Sequence, residues 1–228
     1  NGCGKSTLLN IISGRMEPDS GSVWSQPGAV LGFLPQALQL PGDLTPSDLC
    51  GDPAVLGRFG IEPATAGMPM SNLSAGQHRR VGLAQVWAAQ PDLIMLDEPT
   101  NHLDAPAMDL LARLIRSSRA AVLLVSHDRY FLDRTAQRVI DLTPFGARSY
   151  NGNYTAFRAR KDSELEAEWR LYEKQEREED RLRQVASREM EWFRQAHRRA
   201  GQNDFLRARA SKGAARARAS FARLERFR

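Results

Sequence analysis

The chain has 228 residues, enough for one α/β domain and an appendage, with 32 Lys/Arg against 27 Asp/Glu and a formal net charge of +5. Residues 1–157 carry 12 Lys/Arg and 14 Asp/Glu, residues 158–180 carry 6 and 9, and residues 181–228 carry 14 and 4. The basic excess thus sits in the last segment, where it suits either a polyanionic partner or a solvated helical face. Two cysteines, Cys3 and Cys50, make no disulfide framework and fit a reducing compartment. The longest apolar run, Ala120 to Val125, is far too short to span a bilayer.

In chain order, a Gly-rich loop leads into a helix from Thr7 to Ile12, followed by short strands around Val23 and over Val30–Phe33. The Gly/Pro-rich stretch Pro35–Met70 leaves room for one short helix near Ser47–Phe59. From Ser74 the pattern becomes regular: a helix to Ala89, a strand Leu93–Leu96, a helix Ala105–Ser117, a strand Ala121–Val125 and a helix Arg129–Gln137. The two apolar runs are short and continuous, as expected of parallel strands covered on both faces by helices.

From Tyr154 the sequence reads as long helix, with Leu165, Trp169 and Tyr172 at helical spacing, as are Leu182, Ala186, Glu189 and Phe193. Ala200-Gly201-Gln202-Asn203-Asp204 is a break before a second helix, so an antiparallel hairpin is expected. Its acidic first half argues against a helix lying on anionic lipid. The expected organisation is one domain over 1–153, with a small helical part at about 37–72, and a charged helical hairpin over 154–228. The chain opens inside a motif without Met and stops within a basic pattern, so it is expected to belong to a longer protein.

Three constellations carry chemistry. Asn1-Gly2-Cys3-Gly4-Lys5-Ser6-Thr7 is the G-K-[ST] half of a phosphate-binding loop. Its glycines turn backbone N–H groups onto phosphates, Lys5 is expected to reach the β- and γ-phosphates of ATP, and the Ser6 hydroxyl to ligate Mg²⁺. Leu93-Ile94-Met95-Leu96-Asp97-Glu98 is an apolar strand ending in two carboxylates, which suits Asp97 for Mg²⁺ and Glu98 for the attacking water. Leu73-Ser74-Ala75-Gly76-Gln77 opens a helix with a small polar tract, offering the Ser74 hydroxyl and backbone N–H groups to a γ-phosphate.

That last run resembles the LSGGQ signature of ATP-binding cassette proteins, with Ala75 where the pattern has Gly. The resemblance extends in order to Gln36, similar to the glutamine that approaches Mg²⁺ and the lytic water. It continues to Asn101-His102-Leu103-Asp104, similar to the D-loop, and to His127, similar to the histidine that contacts the γ-phosphate. It implies a P-loop NTPase fold in which Ser74, Ala75, Gly76, Gln77 and Asp104 serve a nucleotide shared with a second cassette docked head to tail.

The runs Asp97-Glu98-Pro99-Thr100-Asn101-His102-Leu103-Asp104 and Ser126-His127-Asp128-Arg129-Tyr130-Phe131-Leu132-Asp133 resemble the ABC-F branch, as does Tyr150-Asn151-Gly152-Asn153-Tyr154-Thr155-Ala156-Phe157. That branch implies a cytoplasmic ATPase without transmembrane segments. It would bind the ribosome when ATP-closed and present its basic inter-cassette hairpin to rRNA and tRNA. Its roles include translation control and ribosome-protection antibiotic resistance. Trp192, Phe193, Phe205 and Phe221 could then stack on bases or on one another. Only 36 residues separate Gln36 from Leu73, so no inserted arm is expected. The alternative is the ATPase subunit of a membrane transporter. A chromosome-maintenance ATPase is excluded by spacing, since only 91 residues separate Lys5 from Asp97.

Overall fold

The computed structural model describes residues 4–200, and the chain divides into two compact units, Asn1–Arg158 and Ala159–Arg228. The expected break at Ala200–Asp204 and the second helix lie outside the described residues.

The first unit is built on a parallel sheet with the strand order β1 (Leu31–Leu34), β2 (Leu93–Asp97), β3 (Ala121–Val125). Leu34 lies opposite Leu96 in one pair and Asp97 opposite Val125 in the other, so all three strands point the same way. Parallel neighbours need crossovers, and helices supply them. Helix α1 (Lys5–Ile12) packs against β2 and the longer α5 (Ala75–Ala88) against β1. Helix α6 (Ala105–Ser117) connects β2 to β3, and α7 (Arg129–Thr135) follows β3. Ile94, Met95 and Leu96 of the central strand are essentially fully buried, which explains why that run shows no alternation of polar residues.

The region from Pro35 to Met70 differs from the single helix expected there. It holds α2 (Pro46–Cys50), α3 (Pro53–Arg58) and α4 (Pro63–Ala66), then a 3₁₀ turn Met70–Asn72. A proline opens each α-helix, where its missing N–H costs nothing and its fixed φ suits the first turn. Thr45 caps α2 through a reciprocal pair with Asp48, and Asp52 caps α3. Gly51 closes α2 at φ +70, the left-handed conformation that glycine adopts without penalty. Proline density therefore marked helix starts rather than loop. Leu56, Phe59, Ile61, Ala66 and Met70 from these short pieces join Val81, Leu83 and Val86 of α5 in one core.

Two further differences concern strands. Val23 forms no strand, and it lies exposed with Trp24 in an irregular segment without a ladder partner among the described residues. Conversely, β4 (Arg138–Thr143) and β5 (Gly146–Asn151) form an antiparallel hairpin that periodicity did not announce, because it stands apart from the main sheet and buries little besides Tyr150. Helix α7 ends at Thr135, two residues before the expected Gln137.

Helix α8 runs from Tyr154 to Ala200, 47 residues or about 70 Å at 1.5 Å per residue. Its surface carries Glu-to-Arg pairs four residues apart, Glu166–Arg170, Glu173–Arg177 and Glu179–Arg183. The acid precedes the base in each, the favourable orientation, worth about 0.3–0.5 kcal/mol per pair. Trp169 and Tyr172 pack edge to face with centroids 6.0 Å apart, yet both stay largely exposed.

Candidate active site

The site assembles at the carboxyl ends of β2 and β3, the usual ligand crevice of an open parallel sheet. Asn1, Gly2 and Cys3 lie outside the described residues. Gly4 follows them at φ +78 as the N-cap of α1, and a Cβ there would strain the turn although the surrounding space is open. Lys5, Ser6 and Thr7 form the first turn of α1, whose N-terminal end carries the positive pole of the helix dipole and attracts anions. Among the described residues no side chain caps this N-terminus.

Asp97 and Glu98 are both buried at the end of β2, with 2% and 6% exposure. Glu98 sits at φ +49, a conformation rare for a residue with a Cβ and found where surrounding contacts over-determine the backbone. Its N–H donates to the Val125 carbonyl at 2.8 Å, joining it to the end of β3. One carboxylate oxygen, Oε2, accepts from the His127 backbone N–H at 3.2 Å, while Oε1 stands 3.4 Å from His127 Nε2. Asp97 Oδ1 and Glu98 Oε1 are buried without a hydrogen-bond partner among the described residues. Such orphaned acceptors are costly unless a ligand completes them. His127 itself is mostly exposed and lies two residues past the end of β3. The pairing of Asp97 with Val125 thus brings the two carboxylates and the histidine together.

The signature run sits on the first turn of α5. Ser74 is the N-cap and accepts from the Gln77 N–H at 3.3 Å, while Gln77 Oε1 accepts from the Ser74 N–H at 2.8 Å. The structure explains why Ala replaces Gly at one position only. Ala75 is exposed, whereas a Cβ on Gly76 would lie 2.8 Å from the His102 carbonyl oxygen. The D-loop therefore presses on Gly76, and His102 adopts φ +64 in doing so. Asp104 caps α6 through the Ala107 N–H and pairs with Arg80 of α5 at 3.1 Å. Gln36 is exposed just past β1, and its carbonyl accepts from Arg79 at 3.3 Å.

Arg79 is the residue that motif reading missed. It is 4% exposed and donates to four carbonyls: Pro35 at 2.8 Å and Gln36 at 3.3 Å from Nη1, and Asp97 and Glu98 at 2.7 Å each from Nη2. Burial pushes its guanidinium below the usual arginine range, opposed by the charges of Asp97 and Glu98. A signal was present: stepping back from the apolar positions Val86 and Leu83 at helical spacing lands on Arg79, an arginine on the buried face.

The fit to a magnesium nucleotide rests on this donor set. Ser6 and Asp97 offer hard oxygen ligands, and Mg²⁺ is held by one or two carboxylates together with substrate phosphates. The described residues contain no group of three or more His, Cys, Asp or Glu that would hold a metal without such a substrate.

A phosphate-loop helix, a buried Asp-Glu pair and a capped signature helix around a parallel sheet define an ATP-binding cassette of the P-loop NTPase class. A family model described as ABC transporter matches residues 1–101. The ATP-binding protein Uup of Caulobacter vibrioides is 37% identical, over 85% of this chain and 31% of that protein. The energy-dependent translational throttle protein EttA of Escherichia coli K12 is 30% identical, over 95% of this chain and 45% of that protein. A dimeric ATP-binding cassette in a post-hydrolysis state, bound to ADP and Pi, superposes with a TM-score of 0.57 at 25% identity, over 66% of this chain and 81% of that one. The chain belongs to the ABC-F family of ATP-binding cassette proteins. It spans 31–45% of the length of these two curated relatives. The family hydrolyses ATP. Among the described residues no helix is long and apolar enough to cross a membrane.

Proposed function

We propose that this chain is the ATP-binding and ATP-hydrolysing cassette of a ribosome-associated protein that regulates translation. The observation that carries the catalytic part is the buried pair Asp97 and Glu98 at the sheet end beside His127, each with a carboxylate oxygen that lacks a hydrogen-bond partner among the described residues. In this reading Lys5 and the N–H groups of the Gly4–Thr7 turn hold the phosphates. Ser6, Asp97 and Gln36 hold Mg²⁺, which when bound neutralises phosphate charge. Glu98 orients the attacking water and accepts its proton, and His127 contacts the γ-phosphate. Positioning and charge neutralisation account for most of the rate in such transfers. Ser74, Ala75, Gly76, Gln77 and Asp104 serve the nucleotide of a second cassette, which completes this one in return.

The ribosomal part is supported by likeness to a translational throttle protein and by a model of ribosome-bound archaeal Pelota and ABCE1, with a TM-score of 0.55 at 25% identity, over 66% of this chain and 28% of that one. The +10 balance over residues 181–228 (14 Lys/Arg against 4 Asp/Glu) suits rRNA or tRNA phosphates. Ribosome-protection resistance is a narrower form of the same reading, tested by drug susceptibility. The full-length protein carrying Glu98→Gln is expected to bind ATP, stall before hydrolysis and sediment with ribosomes through a sucrose gradient. ATP-bound Glu98→Gln protein that stays at the top of the gradient would reject the ribosomal reading in favour of a transporter ATPase subunit.

A further inference from the structure

Arg79 occupies an unusual position for a buried cation. Fully buried arginines are rare unless paired, and pairing ordinarily means a carboxylate. Asp97 and Glu98 lie close by, yet the guanidinium donates to their main-chain carbonyls, and Asp97 Oδ1 and Glu98 Oε1 stay without hydrogen-bond partners among the described residues. A direct salt bridge would have consumed the carboxylates. Binding the backbone keeps them available to ligand while the positive charge still offsets their own.

The fork geometry matters. Nη2 spans the carbonyls of two consecutive residues at the end of β2, both at 2.7 Å, and Nη1 reaches the Pro35 and Gln36 carbonyls just past the end of β1. Those two strands are hydrogen-bonded neighbours. One rigid side chain therefore ties together three segments: the signature helix that bears it, the Gln36 loop, and the residue pair Asp97-Glu98. Glu98 most needs such a tie. Its φ of +49 places its carbonyl where an extended strand would not, and that carbonyl is held by Arg79 at 2.7 Å and by the Asn101 N–H at 3.2 Å.

We propose that Arg79 is a positioning residue for ATP hydrolysis: it holds the Glu98 backbone in its left-handed conformation and locks Glu98 and the Gln36 loop to the helix that carries the signature. The role rests on the ATPase reading given above. It acts through Glu98, since Arg79 touches no reacting atom. A consequence follows for the paired cassettes. Ser74 and Arg79 share one helix less than two turns apart, so a nucleotide engaged at Ser74 is mechanically linked to the water-orienting glutamate of the other site. Lysine would not substitute, because a single ammonium reaches one side of the fork and cannot bridge both carbonyl pairs.

The test compares the full-length wild-type protein with its Arg79→Gln, Arg79→Lys and Glu98→Gln variants by two independent readouts. The first is amide hydrogen exchange without nucleotide. Both Arg79 variants are expected to lose about tenfold protection at the Glu98 and His127 amides, which donate to Val125 O and Glu98 Oε2, while Ile94, Met95 and Leu96 keep theirs. Retained protection in the strand shows that the variant is folded. Should Arg79→Gln fail to fold, Arg79→Lys, which keeps the charge, decides.

The second readout is ATP affinity and turnover. ATP Kd is expected within about twofold of wild type with kcat down about a hundredfold, the scale of an ångström-level misplacement. A folded variant with wild-type kcat overturns the proposal, and so does a parallel loss of affinity and turnover, which would mark a merely structural residue. A full-length wild-type protein that neither binds nor hydrolyses ATP would remove the ATPase reading instead. The exchange comparison then decides the positioning role alone, with unchanged protection at Glu98 and His127 rejecting it.

Discussion

Leu96→Ala tests whether β2 is the buried centre of the sheet that aims Asp97. Leu96 is fully buried and flanked by Leu34 and Leu124 on its two neighbouring strands. The substitution removes three carbon atoms, about 2.4 kcal/mol in transfer free energy at ~0.8 kcal/mol each. The cavity left in a rigid layer raises the total to about 3–5 kcal/mol. For a chain of 228 residues, at about 2–4 °C per kcal/mol, Tm is expected to fall by about 6–20 °C. Leu31→Ala is the matched control. Leu31 is 37% exposed at the start of β1, so the same chemistry there is expected to cost less than about 1.5 kcal/mol. Thermal unfolding followed by circular dichroism gives both values, and ATP titration of Leu96→Ala at low temperature should show weakened binding, since Asp97 is the next residue. Equal Tm losses for the two leucines would refute the assignment of β2 as the centre.

Ser74→Ala removes the reciprocal cap of α5, and a stability loss of about 1 kcal/mol is expected in denaturant titration, with turnover reduced further than stability explains. Ala75→Gly is expected to be silent, whereas Gly76→Ala drives a Cβ to 2.8 Å from the His102 carbonyl; slower hydrolysis with ATP affinity retained would mark displacement of the D-loop. Asp133 grips the start of α8 through the Thr155 hydroxyl and N–H, and those bonds hold its carboxyl below the ordinary value of 3.8. A lowered carboxyl value means that this stabilisation is present above pH ~4 and disappears as pH falls through the folded value. Exchange protection of the Thr155 amide should follow that course, and Asp133→Asn should remove the pH dependence; an unchanged profile would show that Asp133 does not hold the helix.

The local geometry of the candidate site was legible in the sequence because its parts are local. The Gly4-Lys5-Ser6 turn, the run ending at Asp97-Glu98 and the Ser74-Gln77 cap each lie within a few residues, and their backbone consequences follow from helix ends and strand ends alone. The long helix from Tyr154 was equally readable, from charge spacing and the absence of breakers. The Pro-rich stretch was misread because a proline that ends one helix is chemically the same as one that begins the next. Deciding between them needs the caps Thr45 and Asp52 and the core that Leu56, Phe59 and Met70 fill.

By itself, then, the sequence determined the motifs, their order and the α/β alternation, since each depends on neighbours along the chain. Tertiary structure decided what depends on distant segments meeting. The left-handed Glu98 is held between Val125 and Arg79, Gly76 stays bare because His102 lies against it, and Ala75 is tolerated because it is exposed. Arg79 contacts carbonyls 18 to 44 residues away. No local pattern encodes such contacts, because buried hydrogen bonds are satisfied by whichever segment the packing brings within reach.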